Sequence, residues 1–587
     1  MTAAAFAWII VLALAMFARP LIRGEVLNFR DHNDYFQPLH YFTSYELRHF
    51  RLPLWNPYSA SGEPWLANPQ TAVFYPPAWI FLVLPFPTAY VLFLWLHIAL
   101  LGCGAFLLFS RIGSPRGALI GAIALMLFGP TLSMLDVSNN LTTFAWLPLV
   151  LFCAMSNASP MRSATVIAMS FLAGEPFFAA AGALMFSVIF LRQAAPGTRH
   201  RLADIGLTAF CLSAVQLIPF LSLIAGSDRA GNVPREEILR DSMHFADWLR
   251  IVIPGAATHQ HFIPIVYIGV VPAVLALAGV WTRRATGWLV LLALSVVISA
   301  GSGELLTKLP ITIIRYPARV LPLGALAIAA LAVLGFERIR TERSARAAAL
   351  AAIALIIIDL VPRVAPLLQS APFDPSVPYP PVVGRDGKIV RLIPPQIRAM
   401  DRRAWMAGYR NLFERRFDAW TAAPIVSESY TRAYAAALQQ RAELDRLSIA
   451  YLLTGDADHV VVRRNPTAFP MAYWRDSAGR VVRASVLAMT TSAAHVAIDA
   501  PSEGVVVVTQ QLTGDWRVDV DGARAEAERD GVFCAVRVGG GHHVITWRYR
   551  PRALLIGVAL TIAAILRMLL SSRFVKSGGT KKNFFAT

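Results

Sequence analysis

The stretch Ala89-Tyr90-Val91-Leu92-Phe93-Leu94-Trp95-Leu96-His97-Ile98-Ala99-Leu100-Leu101-Gly102-Cys103-Gly104-Ala105-Phe106-Leu107-Leu108-Phe109 carries no charged residue. It exceeds the ~18 apolar residues that mark a membrane-spanning helix. Working outward, comparable runs lie at 2–18, 117–135, 141–155, 164–174, 177–191, 205–225, 263–280, 287–300, 320–334, 347–361 and 554–570. Together they predict a polytopic α-helical membrane protein of about 12 spans. Composition agrees: 56% of the 587 residues are hydrophobic and only 15% are charged, against roughly 25% charged in soluble domains. Mean hydropathy is +0.52. A single soluble enzyme and a disordered chain are both excluded.

The net charge of +18 is explained by its placement. Loops 110–116, 156–163, 192–204, 281–286 and 335–346 hold Arg111, Arg116, Arg162, Arg192, Arg283, Arg284 and Arg338, and the tail adds Arg573, Lys576, Lys581 and Lys582. The alternate turns 136–140 and 174–176 hold no base. By the positive-inside rule both termini are cytoplasmic, although Arg19 and Arg23 at the outer end of the first run oppose this locally. No nucleic-acid motif is present, so the basic balance predicts a membrane partner and no nucleic acid. Four cysteines without CxxC or CxxH spacing predict neither a disulfide framework nor a zinc site.

This topology defines three regions. Residues 1–363 form a membrane module whose first outer loop is 19–77. Residues 364–550 form an extracytoplasmic α+β domain, opening with a proline-rich linker. Periodicity at 397–420 and 428–447 predicts helices; beyond about 450, short alternating runs predict an antiparallel β-sandwich. Asp521-Gly522 is the dipeptide of a two-residue hairpin turn. Residues 551–587 are the last span and a cytoplasmic tail.

The first outer loop is the richest in chemistry. It begins Asn28-Phe29-Arg30-Asp31-His32-Asn33-Asp34-Tyr35-Phe36-Gln37-Pro38. Asp31 and Asp34 are three apart, which on an α-helix places both on one face. The apolar residues Tyr35, Phe36, Leu39, Phe42 and Leu47 follow at near-helical spacing and predict a helix lying along the membrane interface. A carboxylate at that level suits general-base work on a lipid headgroup; the alternative is a solvated loop. Next come Trp55-Asn56-Pro57-Tyr58, Gly62-Glu63-Pro64, Asn68-Pro69-Gln70 and Tyr75-Pro76-Pro77. Amides and aromatic faces suit sugar rings; the alternative is a rigid plug over the helices. His244, His259 and His261 are spaced too loosely to predict a metal site, and no cofactor is predicted.

The loop resembles the YfhO family of bacterial membrane proteins, which belongs among GT-C-like membrane glycosyltransferases. The resemblance rests on the early Asp, Gln37-Pro38, the Pro53-Leu54-Trp55-Asn56-Pro57-Tyr58 run, Asn68-Pro69-Gln70 and Tyr75-Pro76. It continues in order through Gln216-Leu217-Ile218-Pro219 with Ser227 and Arg229, Tyr267-Ile268-Gly269, Arg315-Tyr316-Pro317-Ala318-Arg319, and Gly514-Asp515-Trp516 with Asp521-Gly522. Glu175, Asn68 and Met471 depart from the family pattern. The resemblance implies sugar transfer from a polyprenyl-phosphate donor to an envelope glycan, lipid or polymer acceptor, on the outer face of the bacterial plasma membrane. Asp31 is then the first candidate for the catalytic acid and Asp34 the second. Arg315, Arg319 and Arg229 are candidates for the donor phosphate, since arginine's fork suits that anion. Gln37, Trp55, Asn56, Asn68, Gln70 and Tyr75 are candidates for sugar or acceptor. Two further classes remain open: a lipid or glycan transporter, and a non-catalytic scaffold of envelope assembly.

Overall fold

The computed structural model describes residues 2–193, 196–230, 235–254, 262–301, 316–341, 343–376, 379, 381–392, 408–455 and 459–577. Among these, five helices are long and apolar enough to cross a membrane: Phe86–Phe109, Thr198–Ala225, Pro317–Ile339, Ala345–Leu368 and Arg552–Leu570. A sixth crossing arises if Val270–Gly279 and Arg283–Ser299, bent by 110°, count as one. Thr2–Met16, Pro115–Leu127 and Pro176–Leu191 are shorter apolar helices.

Other expected spans are interrupted, for local reasons. The run at 117–135 stops being helical at Phe128 (ψ 138) and resumes as Gly129–Leu132, with Pro130 in its first turn. The run at 141–155 divides into Ser138–Phe144 and Leu147–Met155, with Pro148 opening the second piece. Proline fits a first turn because its missing N–H would be unpaired there anyway. Apolar composition thus continues through breaks that hydrogen bonding does not.

The helices pack around a large core that includes Ile9, Tyr90, Leu94, Leu127 and Leu326. Val270–Gly279 and Leu321–Ile339 approach most closely through paired glycines. A Cβ on Gly335 would lie 1.8 Å from the Leu275 carbonyl oxygen, and one on Gly279 2.0 Å from that of Leu331. Small residues at such crossings let backbones touch.

The C-terminal part is β-rich. One five-stranded sheet runs, in spatial order, Glu528–Asp530, Phe533–Val538, Gly504–Gln511, Ala472–Arg475 and Val481–Arg483. The other runs Ala523–Ala525, Trp516–Val520, Gly541–Tyr549, Ala493–Ala500 and Ser485–Met489. Their inner faces share a core of Trp474, Val506, Val536, Val496, Trp516, Ile545 and Trp547. Asp521-Gly522 makes the expected tight turn, with φ of 52° and 82°. Helices occupy Glu428–Gln439 and Arg441–Arg446, divided where Gln440 is extended. The expected helix at 397–420 falls partly outside the described residues; its described part holds only Asn411–Glu414, ended by left-handed Arg415.

The first outer loop is folded into this β-rich part. Its strand Glu25–Leu27 pairs with Ser370–Pro372, and Trp55 is buried in the sandwich core. The aromatic helix Gln37–Arg48 turns its apolar face into the protein. Leu39 and Phe42 are buried against Trp65 of the same loop and against Tyr409 and Leu412, so the face expected to meet lipid meets protein instead.

Candidate active site

Asp31 and Asp34 stand on an irregular ledge. Arg30 is left-handed (φ 47°), Asp31 precedes a π-helical turn, His32–Phe36, and Asp34 lies inside it. The α-helical spacing expected of the pair therefore does not apply. Asp31 is exposed and Asp34 partly so. The backbone oxygen of Asp34 accepts a hydrogen bond from the Tyr409 N–H at 2.6 Å. Gly408 makes that approach possible: a Cβ there would lie 1.9 Å from the same oxygen. Behind the ledge the Nδ1 of His32 meets the Tyr90 hydroxyl at 2.6 Å. The buried Asp136 faces Arg30, whose Nε is 3.1 Å from its carboxylate. Burial raises the Asp136 carboxyl above its ordinary range; Arg30 opposes this and the Asp31 charge adds to it.

Four of the six residues expected to touch sugar are held in structural contacts. Gln37 donates to the Leu27 carbonyl at 2.8 Å. Trp55 donates from Nε1 to Gln510 at 2.8 Å. Asn56 donates to Glu63 at 2.8 Å. The Tyr75 hydroxyl is fixed between His97 (2.6 Å) and the Trp146 indole N–H (2.7 Å). For these, the rigid-plug alternative describes the contacts.

Asn68 and Gln70 are different. They line a cavity of about 100 Å³ together with Gly174, Glu175, Phe220, Arg229, Arg319 and Pro424. The Asn68 side chain caps the short turn Pro69–Thr71 by accepting from the Gln70 N–H at 3.0 Å. Tyr35 donates its hydroxyl to Gln70 Oε1 at 2.5 Å, tying the acidic ledge to the cleft wall. Neither Asp31 nor Asp34 lines the cleft.

Two arginines reach the cleft from different elements. Arg319 lies in the turn Pro317–Val320 that opens helix Leu321–Ile339. The proline keeps Tyr316 out of the helix, and Tyr316 adopts φ 60°, ψ 81°. The Arg319 guanidinium rests on the Phe262 ring at 5.1 Å, and its Nη1 lies 3.2 Å from Glu175 Oε1. Arg229 follows helix Thr198–Ala225 and donates from Nη2 to the Pro424 carbonyl at 2.7 Å. Arg315 lies outside the described residues, as do His259 and His261.

Two carboxylates matter here that the sequence left in the background. Glu175 is buried at the start of helix Pro176–Leu191. It accepts from Asn139 Nδ2 at 2.8 Å and from the Phe177 N–H at 3.3 Å, besides its pairing with Arg319. Its position between Gly174 and Pro176 is the signal the sequence offers. Glu63 is half-buried in the neighbouring cavity wall, accepting from Asn56, Tyr409 (2.9 Å) and Thr421 (2.8 Å). Burial pushes its carboxyl up to about 7, while these donors hold it down. No group of three or more metal-ligating side chains occurs among the described residues.

No protein-family model matches the chain, and no curated protein does. Solved structures do. The arabinofuranosyltransferase AftD from Mycobacteria, determined by cryo-EM, superposes with a TM-score of 0.50 at 16% identity, over 77% of this chain and 35% of that one. A mutant of the same transferase gives 0.50 at 14% identity, over 91% and 41%. An Archaeoglobus fulgidus oligosaccharyltransferase aligns at a TM-score of 0.41 and 13% identity, over 81% and 72%. The chain thus spans about a third to three fifths of the length of the arabinofuranosyltransferase chains it matches. What it shares with that membrane glycosyltransferase is the fold.

Proposed function

We propose that this protein is a GT-C-type membrane glycosyltransferase related to the YfhO family. It moves a sugar from a polyprenyl-phosphate donor to an envelope glycan, lipid or polymer on the outer face of the bacterial plasma membrane. The observation that carries this reading is the meeting of Arg229 and Arg319 in one cleft with Asn68 and Gln70. Two guanidinium groups suit a lipid phosphate, and two amides suit sugar hydroxyls.

In this reading the acceptor hydroxyl attacks the anomeric carbon of the donor sugar and gives its proton to Asp31. A glycosidic C–O bond forms. The bond from the anomeric carbon to the bridging phosphate oxygen breaks, and its electron pair leaves with the lipid phosphate. Arg319 and Arg229, with Arg315 as a further candidate, meet the charge that grows there. Asp34 is the second candidate base. The Tyr35–Gln70 hydrogen bond holds the ledge against the cleft.

The test is direct. Purified protein in nanodiscs, given polyprenyl-phosphate sugars and envelope glycan fractions, is expected to transfer sugar. Asp31→Asn is expected to lower the rate about 10²–10⁴-fold, the usual loss with a general base. Wild-type rates in both Asp31→Asn and Asp34→Asn, at equal expression, would reject the assignment of the base. An unchanged profile of lipid-linked sugars and envelope glycans in a deletion strain would reject the function.

A further inference from the structure

A second cavity, of about 430 Å³, lies where the β-sandwich meets the end of helix Thr198–Ala225 and the start of helix Arg552–Leu570. It falls in the range of about 300–1,000 Å³ usual for small-molecule sites, which the cleft of about 100 Å³ does not reach. Between the two lies a throat of about 20 Å³, roughly the room one water needs. The throat shares Asn68 and Pro424 with the cleft, Glu63 and Leu223 with the larger chamber, and Ile425 with both.

The chamber wall is rich in groups that both donate and accept. Ser222, Ser427, Ser429 and Thr513 supply hydroxyls, and Trp55 and Tyr549 add aromatic side chains. Hydroxyls pair with sugar hydroxyls in either direction, and ring faces suit the apolar C–H surface of a sugar. The wall does not suit phosphate. Among the described residues in it, Arg552 is the one base, while Glu63 and Asp515 are acids. The N-terminus of the last helix, a natural anion site, is already taken, because Asp515 accepts from the Arg552 N–H at 3.2 Å. Just behind the wall, Asp228 faces Arg229 at 3.9 Å and Arg529 donates to the Leu512 carbonyl at 3.1 Å, so the charges there are mixed as well.

Resting on the transferase reading above, we infer that this chamber is the acceptor site and that it takes an uncharged glycan segment, which excludes a phosphate-bearing lipid or polymer as acceptor. The body of the glycan lies among the chamber hydroxyls. A space of one water admits a hydroxyl arm but not a ring, so only the reacting end passes the throat towards Asn68 and the cleft. Glu63, in the wall of both spaces, stands where that arm enters. Two carboxyl groups beside a single guanidinium repel an anionic acceptor, so the selection is against phosphate as well as for hydroxyls.

The experiment titrates full-length protein in nanodiscs, without donor, with neutral trisaccharides of glucose, galactose and mannose. Glycerol 3-phosphate is the arm that reports phosphate-bearing headgroups and polymers. At least one trisaccharide is expected to bind, and more tightly than glycerol 3-phosphate. Ser222→Trp fills the chamber from helix Thr198–Ala225, and Ser429→Trp fills it from helix Glu428–Gln439. Both serines are exposed, so neither change disturbs a packed core. Each is expected to weaken trisaccharide binding about 10-fold or more, and Ser222→Ala and Ser429→Ala to weaken it less. No binding by any trisaccharide, tighter binding of glycerol 3-phosphate, or unchanged affinity in both tryptophan variants overturns the inference. With a polyprenyl-phosphate sugar added, the tryptophan variants are expected to raise the acceptor KM and leave the donor KM unchanged, which also shows that they are folded. Transfer with a wild-type acceptor KM in both variants overturns the chamber alone and leaves the transferase reading standing. Trisaccharide binding that both tryptophan variants abolish, with no transfer by the wild type, overturns the acceptor role together with that reading.

Discussion

At the scale of single residues, Glu63 joins chemistry to stability. Its carboxyl titrates near 7 in the folded protein, above the ordinary value of ~4.3 for a free Glu. Between those values the folded state holds a proton that the unfolded state has lost. Stability from this group is therefore full below about pH 4.3 and is lost as pH rises through about 7. The melting temperature in detergent is expected to fall between pH 5 and pH 7.5, and Glu63→Gln, which imitates the protonated acid, is expected to flatten that slope. An equally steep slope in the variant would show that other groups carry it. Arg319 poses a different question, because its ring contacts and its ion pair need a planar fork. Arg319→Ala is expected to raise the donor requirement steeply, Arg319→Lys to recover only part of it, and Arg283→Ala on the opposite side to do little. Full recovery by lysine would mean that charge alone matters there.

Among the elements, the first outer loop decides how the molecule is tied together. Trp55 enters the sandwich core, where it packs on Trp516 at 5.3 Å and Tyr549 at 4.8 Å. Trp55→Ala is expected to cost about 3–5 kcal/mol, as for other buried aromatic truncations. Chemical denaturation followed by tryptophan fluorescence measures it, and a loss below 1 kcal/mol would show that the loop is not anchored there. The aromatic helix Gln37–Arg48 illustrates what a pattern leaves open. Its apolar spacing predicts a buried stripe, but a membrane interface and a protein face reward that stripe equally. Only Trp65, Tyr409 and Leu412, the last two hundreds of residues away, choose between them. Hydropathy is similarly silent about continuity: a run such as 141–155 stays apolar across Ala145-Trp146, where the helix does not.

For the whole molecule, we propose from the positive-inside rule that the arginine-rich loops and the β-rich part lie on opposite sides of the membrane. Protease added to intact spheroplasts is expected to cut within 364–550, and cutting confined to inside-out vesicles would reverse the topology. The sequence by itself determined the membrane class, the β-rich C-terminal part and the Asp521-Gly522 turn. Each follows from composition or from contacts between near neighbours, where apolar runs, period-two alternation and positive-φ residues act locally. It also marked Asn68, Gln70, Arg229 and Arg319 by type, since amides and guanidinium groups are chemically legible anywhere. Tertiary structure alone decided that these four share a cleft while Gln37, Trp55, Asn56 and Tyr75 hold the loop in place, and that Glu175 stands against Arg319. Those assignments depend on which distant segments pack together. A side chain's partner is set by the shape and burial of the whole core, and no local spacing encodes it.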